Sequence, residues 1–373
     1  MKTFGSKLLA NFAVLAVAAI LGLFAIDVFA YYFFTKPLPP PKGLYVADDT
    51  IGYRLSPSYI GSMPFHGPSM PIEINRHGFR GPDWQLDERT RVVIGGDSFT
   101  FGIPLSFESG FTAKLGNRLP GVAVYNVGVP GYGPGQISET IRRVCPQLKP
   151  RHIFYMYFLN DTRIDNVTMD WNTVIDGYLV PQKTESGRTL SKEELTDKIR
   201  QRADSGRTLL SSLRLLNLRS FLSSRGLAPR QLLERFSTSQ SVPARAPAET
   251  DFAANAGYSS DTVQAAALQI ETMAKTAKIC GASFTMVVLP SYAEAYYGTD
   301  EPATKLLMRL LPAGTEVLDL RSFTRRFHSP SLSYDAHYSE TGTDMVADAL
   351  AGYLTGRYPH LVSRSKTSTE GAP

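Results

Sequence analysis

Cysteine is scarce in this chain: Cys145 and Cys280 are the only two among 373 residues. One pair cannot build a disulfide-dense scaffold. Each lies near the end of a helical pattern, Cys280 directly before Gly281, which favours two buried thiols over a bridge. Histidine is nearly as rare, with six residues. No Cys/His spacing resembles a zinc site, so no metal is expected, nor any other cofactor. Blocks of like charge are missing too. The net charge is +5, but its basic residues are dispersed rather than interleaved with aromatics, which argues against a nucleic-acid partner. There is no internal repeat. What remains is 43% apolar and 20% charged, the balance of a folded protein with a real core.

Long hydrophobic runs are also absent, with one exception. Leu8 to Phe34 is a 27-residue stretch interrupted chiefly by Asn11, Gly22 and Asp27. Roughly 20 apolar residues suffice to cross a bilayer as a helix. Lys2 and Lys7 precede the stretch, and Tyr31, Tyr32, Phe33 and Phe34 close it like an interfacial belt. A signal peptide would have a shorter apolar region ending in a clear small-x-small site. The expectation is therefore an uncleaved single-pass anchor over 8–34, with the N-terminus inside and the body exported to the periplasmic side.

Residues 35–89 form a spacer and lead-in. Lys36 to Pro41 is a stiff polyproline-type segment. Val46 to Arg89 is rich in turn residues, including Pro57, Pro64, Pro68, Pro71 and Pro82. Residues 90–358 read as one domain. Strands are predicted at Val92–Ile94, Val122–Tyr125, Ile153–Phe158, Phe284–Leu289 and Val317–Leu320. Helical faces separate several of them: Phe111, Leu115 and Leu119; Val263, Ala266, Ala267, Ile270, Ala274 and Ala277; Val346, Ala349, Leu350, Tyr353 and Leu354. Alternating strands and helices imply a mainly parallel sheet covered on both faces. A span over about 162–256 breaks the rhythm and reads as a helical insertion. It contains Ser191-Lys192-Glu193-Glu194, a capping-box start to a helix, and then runs through a leucine face from Leu209 to Leu222. That face either packs on the body or forms a lid or membrane-surface helix. Residues 359–373 read as a disordered tail.

Four motifs lie just beyond strands or before the last helix. Gly96-Asp97-Ser98 follows a β-branched run and turns through Gly102, as a strand-to-helix nucleophile turn does. Tyr125-Asn126-Val127-Gly128-Val129-Pro130-Gly131 follows the second strand. Its glycines let backbone approach a ligand, and no Gly-Lys-Ser/Thr follows to make it a phosphate loop. Asn160-Asp161 ends the third strand, where an asparagine amide can donate to an oxyanion without carrying charge. Asp335-Ala336-His337 precedes the last helix and pairs an imidazole with a nearby carboxylate. In an open α/β sheet, ligands bind beyond the carboxyl ends of the strands, so the four can meet at one edge.

Together these blocks resemble the SGNH, or GDSL-type, hydrolase family. The lead-in, with Ile51-Gly52-Tyr53-Arg54 and Asn75-Arg76-His77-Gly78-Phe79-Arg80-Gly81, resembles that of exported members. The resemblance covers residues 48–163 and 257–357. It implies a three-layer αβα, flavodoxin-like fold. It also implies Ser98 as nucleophile, His337 as base and Asp335 as its orienter, with the oxyanion held by the Ser98 N–H, the Gly131 N–H and the Asn160 side chain. The final block departs from the Asp-x-x-His spacing of many members. Its Asp-x-His spacing is shared with membrane-linked polysaccharide acetyltransferases. Leu159 stands where many members carry glycine. Asp97 reads as a hydrogen-bonder of the turn, and His77 as structural.

The expected activity is serine-dependent hydrolysis of an ester on an envelope glycan or lipid. The alternatives are O-acetyl transfer to an extracellular polysaccharide and a catalytically silent glycan-binding role. Expected partners are the acylated substrate, the membrane through the anchor, and envelope or polysaccharide-export proteins.

Overall fold

Five runs rich in β-branched or aromatic residues form one sheet in which every strand pair is parallel. The computed structural model describes residues 2–30, 41–64, 69–184, 187–204, 258–291, 294–295, 298, 300–321 and 337–362. The sheet strands are β5 (Thr90–Gly96), β6 (Val122–Asn126), β7 (His152–Tyr157), β10 (Ser283–Val288) and β11 (Val317–Asp319). They lie in the order β11-β10-β7-β5-β6. Each sequence-predicted strand is present, shifted by at most a residue or two. Read from β6, the order by appearance in the chain is 2-1-3-4-5, the flavodoxin-like winding. The direction of winding reverses between β5 and β7, so loops leaving those two strands diverge to opposite faces, which is where open sheets of this kind bind ligands.

Helices cover both faces. Val92 and Ile94 share a core with Phe111 and Leu115 of α3 (Phe111–Arg118) and with Val346 and Leu350 of α9 (Glu340–Arg357). The other face of β5 meets α4 (Pro134–Leu148): a Cβ on Gly95 would stand 3.1 Å from the Ile137 side chain. Beside α4 packs α7 (Ser260–Ile279), which buries Val263, Ala266, Ala267, Ile270 and Ala277 as its period predicts. Ser259 caps α7 by accepting from the Thr262 N–H at 3.2 Å. Gly281 follows it in the left-handed region at φ +74°. Each wholly buried aliphatic side chain in these layers contributes about 1.5–3 kcal/mol.

Cys145 of α4 and Cys280 at the end of α7 form a disulfide, with Cα atoms 6.0 Å apart. The expectation of two free buried thiols is thus corrected. Packing of α4 on α7, which no local pattern announces, brings the sulfurs together.

The lead-in carries more strand than its turn-rich composition suggests. β1 (Tyr45–Asp48) and β2 (Gly52–Leu55) pair antiparallel, Tyr45 opposite Leu55. β3 (Ile60–Pro64) and β4 (Ser69–Glu73) form a second two-stranded sheet. The expected helical insertion also begins differently. A short helix α5 (Ile164–Val167) leads into a hairpin of β8 (Asn172–Ile175) and β9 (Tyr178–Pro181). The Ser191 capping box then forms as read. The Glu194 N–H donates to Ser191 Oγ at 3.2 Å, and the Ser191 N–H donates to Glu194 Oε2 at 2.8 Å. It opens α6 (Lys192–Asp204). The leucine face from Leu209 to Leu222 lies outside the described residues. After α9, the segment read as a tail starts with a helical turn, α10 (Pro359–Val362), that buries Leu361.

The chain divides into two compact units. Everything above from Lys42 on belongs to the larger, apart from Ser62–Met70 and Thr196–Gln240. The smaller unit holds those two stretches and Met1–Pro41, including α1 (Lys2–Ala30). Residues 31–34 of the expected anchor lie outside the described residues. Among the described residues, no helix is long and apolar enough to cross a membrane.

Candidate active site

β5 ends at Gly96, and the chain turns at once into a single helical turn, α2 (Ser98–Phe101). Asp97 caps it: its carboxylate accepts from the Phe99 N–H at 2.9 Å. Gly102 at φ +95° ends it in the left-handed region, where a side chain would be strained. As the first residue of α2, Ser98 leaves its own N–H without an intrahelical acceptor.

His337 arrives from 239 residues further along, just before α9. Its Nε2 lies 2.7 Å from Ser98 Oγ. Ser339 caps α9 by accepting from the Gly342 N–H at 3.3 Å, which fixes where the helix begins and so where His337 stands. The imidazole stacks on Phe99 with ring centres 4.7 Å apart, and Tyr338 anchors the same segment through its hydroxyl to the Pro290 carbonyl at 3.0 Å. Asp335, expected to orient His337, lies outside the described residues.

Asn160 reaches the same place from β7. It sits in a 3-10 turn, Leu159–Thr162. Its Nδ2 donates to Asp97 Oδ2 at 3.0 Å, and its backbone carbonyl accepts from Asn166 Nδ2 at 2.9 Å. An amide oxygen turned to that carboxylate would be repelled, so Asp97 selects the orientation of the amide. One of its two N–H bonds is committed to Asp97, leaving the second. Asp97 is fully buried. Burial pushes its carboxyl above the ordinary value, against the pull of the Phe99 and Asn160 N–H groups and of His337. Asp161 is buried behind it, accepting from the Tyr155 hydroxyl at 2.6 Å. Burial and the neighbouring Asp97 charge raise its pKa well above the usual carboxylate range.

Gly131 belongs to the loop that continues past β6. That loop lies along the end of β5, with the Val127 N–H donating to Ile94 O at 2.9 Å and the Val129 N–H to Gly96 O at 3.1 Å. Gly128 presses on α2: a Cβ there would meet the Phe101 nitrogen at 2.7 Å. Asn126 ties loop to helix, donating to Thr100 O at 2.7 Å and accepting from the Gly128 N–H at 2.9 Å. Among the described residues, the Gly131 N–H has no acceptor.

The structure therefore sets two hydrogen-bonded pairs side by side, Ser98 with His337 and Asn160 with Asp97, the residue before the serine, and sets the Gly131 loop against the same turn. All lie beyond the carboxyl ends of β5, β6 and β7, at the reversal of winding. An imidazole accepting the Ser98 proton makes a nucleophile of a hydroxyl that is otherwise inert at neutral pH. Unspent N–H donors nearby suit a developing oxyanion.

Arg80 of the lead-in is 3% exposed. It donates to the carbonyls of Phe101, Gly102 and Leu105 at 2.9, 3.1 and 2.6 Å, clamping the turn that follows α2. Burial lowers its pKa to about 10. Asn75 folds the turn that delivers Arg80, accepting from the His77 and Phe79 N–H groups at 2.9 and 3.1 Å. His77 stacks on Trp84 at 4.1 Å, the structural part expected of it. Asn75 and Arg80 thus fix the lead-in against the domain. Two cavities, of about 320 and 230 Å³, lie beside the lead-in; neither is lined by Ser98 or His337.

No protein-family model matches the chain, and no curated protein matches it. Solved structures with a distant likeness exist. A lipase/acylhydrolase from Enterococcus faecalis is 12% identical, with a TM-score of 0.39 over 72% of this chain and 96% of its own. A member of the lipolytic G-D-S-L family from Veillonella parvula DSM 2008 is 12% identical, at 0.39 over 71% and 98%. An acetyl xylan esterase, AlAXEase, is 10% identical, at 0.38 over 70% and 97%. These scores are too low to assign fold or activity, so the functional reading rests on this chain's own residues.

Proposed function

We propose that this protein is an SGNH-type serine ester hydrolase. The observation that carries the reading is the 2.7 Å contact between Ser98 Oγ and His337 Nε2, made across 239 residues of sequence. Ser98 Oγ attacks the acyl carbonyl carbon while its proton passes to His337 Nε2. The oxyanion is held by the Ser98 and Gly131 N–H groups and the second Asn160 N–H. Collapse expels the alcohol, which takes the proton back from His337, and leaves the acyl group on Ser98. Water, deprotonated by His337, then releases the carboxylic acid and restores the serine. For Nε2 to accept, the ring proton sits on Nδ1, and Asp335 is the residue proposed to hold it there.

The substrate proposed is an acylated glycan or lipid of the cell envelope, met by a body exported behind an anchor at 8–34. The Cys145–Cys280 bridge supports an oxidising compartment. A second reading, O-acetyl transfer to an extracellular polysaccharide, is favoured by the Asp335-Ala336-His337 spacing and differs only in that a sugar hydroxyl replaces water. A silent glycan-binding role has no use for a serine hydrogen-bonded to an imidazole.

The test is hydrolysis of p-nitrophenyl acetate by the full chain in detergent micelles, beside Ser98→Ala. Activity should fall at least about a thousandfold. Undiminished turnover in folded Ser98→Ala would sink the reading. Acetylated sugar formed at the expense of free acetate would select transfer.

A further inference from the structure

The lead-in reaches under the Gly131 loop. Tyr53, at the centre of β2, is fully buried. Its hydroxyl donates to the Pro130 carbonyl at 2.9 Å. Its own carbonyl accepts from the Tyr132 hydroxyl at 2.6 Å. Its ring packs edge-on against Tyr45 and Tyr132, at 5.4 and 5.2 Å between centres. One turn further on, Gln136 donates to Ile51 O at 2.8 Å and accepts from the Gly133 N–H at 3.1 Å. β2 and the loop are thus joined on both sides of Gly131.

The Pro130–Gly131 peptide is trans, since Ile103–Pro104 is the only cis bond among the described residues. In a trans peptide the carbonyl and the following N–H point in opposite directions within one rigid plane. Fixing the Pro130 oxygen therefore fixes the Gly131 hydrogen. Gly131 needs such a restraint. It sits at φ +77° with no side chain to hold it, and a Cβ there would lie 2.9 Å from the Tyr53 hydroxyl. The phenol occupies the space a side chain would take.

We infer that Tyr53, from outside the five-stranded α/β core, is a positioning residue for the oxyanion site: by holding the Pro130 carbonyl it aims the Gly131 N–H. The inference rests on the serine-hydrolase reading. It makes the lead-in part of the catalytic apparatus rather than a wrapping.

The experiment compares the full chain with Tyr53→Phe and Tyr125→Phe in detergent micelles. Tyr125 makes the same kind of bond, from its hydroxyl to the Gln85 carbonyl at 2.7 Å, without touching Pro130. Removing an oxyanion donor outright costs about 10²–10³ in kcat, so misaiming one should cost about 10–100-fold. Tyr53→Phe is expected to lose that factor in kcat with KM within about threefold. Affinity for phenylboronic acid, which becomes tetrahedral on the serine, should weaken by about the same factor, while inhibition by acetate stays unchanged. Tyr125→Phe should keep its kcat. The inference is overturned if Tyr53→Phe retains kcat and boronate affinity within twofold. It is equally overturned if Tyr125→Phe loses as much, or if acetate and boronate weaken together. Ser98→Ala separates the two levels: retained turnover in that variant overturns the underlying reading, whereas turnover lost there but kept in Tyr53→Phe overturns only the part given to Tyr53.

Discussion

His152 opens β7 at the end of the sheet opposite Ser98 and His337. Its side chain is fully buried among Phe154, Tyr353 and Tyr358, at 4.4, 6.5 and 4.7 Å between ring centres. Neither ring nitrogen has a hydrogen-bond partner among the described residues. A charged imidazole has no place there, and burial lowers its pKa from 6.5 to about 4, the Glu316 charge recovering only part of the loss. The unfolded chain therefore binds a proton that the folded chain refuses. Stability from this group is fully present above pH 6.5 and is lost as pH falls from there toward 4. Moving the pKa from 6.5 to about 4 corresponds to about 3 kcal/mol in total, of which about 2 kcal/mol is gone by pH 5. Replacing the ring with phenylalanine removes this dependence on pH. Other groups also titrate: Asp161 favours the fold as it takes up its proton, and Asp48, held at about 2 by Arg143, loses its benefit below pH 4. They act alike in both proteins, so the difference between them isolates His152. Melting followed by near-ultraviolet circular dichroism at pH 7.5, 6, 5 and 4.5 is the assay. The melting temperature of His152→Phe relative to wild type should rise by several degrees between pH 7.5 and 5, at about 2–4 °C per kcal/mol. Parallel curves for the two proteins would refute the reasoning.

Two further outcomes follow from the same contacts. Asn160→Ala should lower kcat by about 10²–10³ in ester hydrolysis with a much smaller change in KM; equal losses in both would mean the amide serves binding rather than the oxyanion. Reduction of the Cys145–Cys280 bridge, or Cys145→Ser, should destabilise the fold by up to about 5 kcal/mol, because the bond closes a loop of 135 residues. An unchanged urea midpoint on adding reductant would show that the bridge is not formed in solution.

The five strands of the sheet were legible because β-branched runs bounded by turn residues have few other uses. Ser98, Asn160 and His337 were legible because each stands just beyond a strand or just before a helix, where a parallel sheet gathers its chemistry. The lead-in hairpins were not. Their strands are four or five residues long and carry prolines such as Pro64 and Pro71, so composition alone reads as turns. The disulfide was hidden because pairing depends on how two helices meet. Asp97 was read as capping its own turn, and it does so through Phe99; its second contact, to Asn160, links residues 63 apart and leaves no local mark. Tyr53 was hidden in the same way, since it acts on a backbone carbonyl, which any sequence supplies. His152 gave no warning because β7 is buried along its whole length, and the alternation that would flag a polar residue facing inward is missing.

The separation of Ser98 from His337 bears on when the two can first meet. The two are 239 residues apart, and synthesis proceeds at about 5–20 residues per second. A ribosome thus completes the serine turn roughly 12–48 s before it supplies the imidazole. Throughout that interval the emerging chain carries a hydroxyl with no base beside it. The pair itself cannot form until the sheet has received its last two strands and α9 has docked. On the hydrolase reading proposed above, the order of the chain delays the assembled site until synthesis is nearly complete.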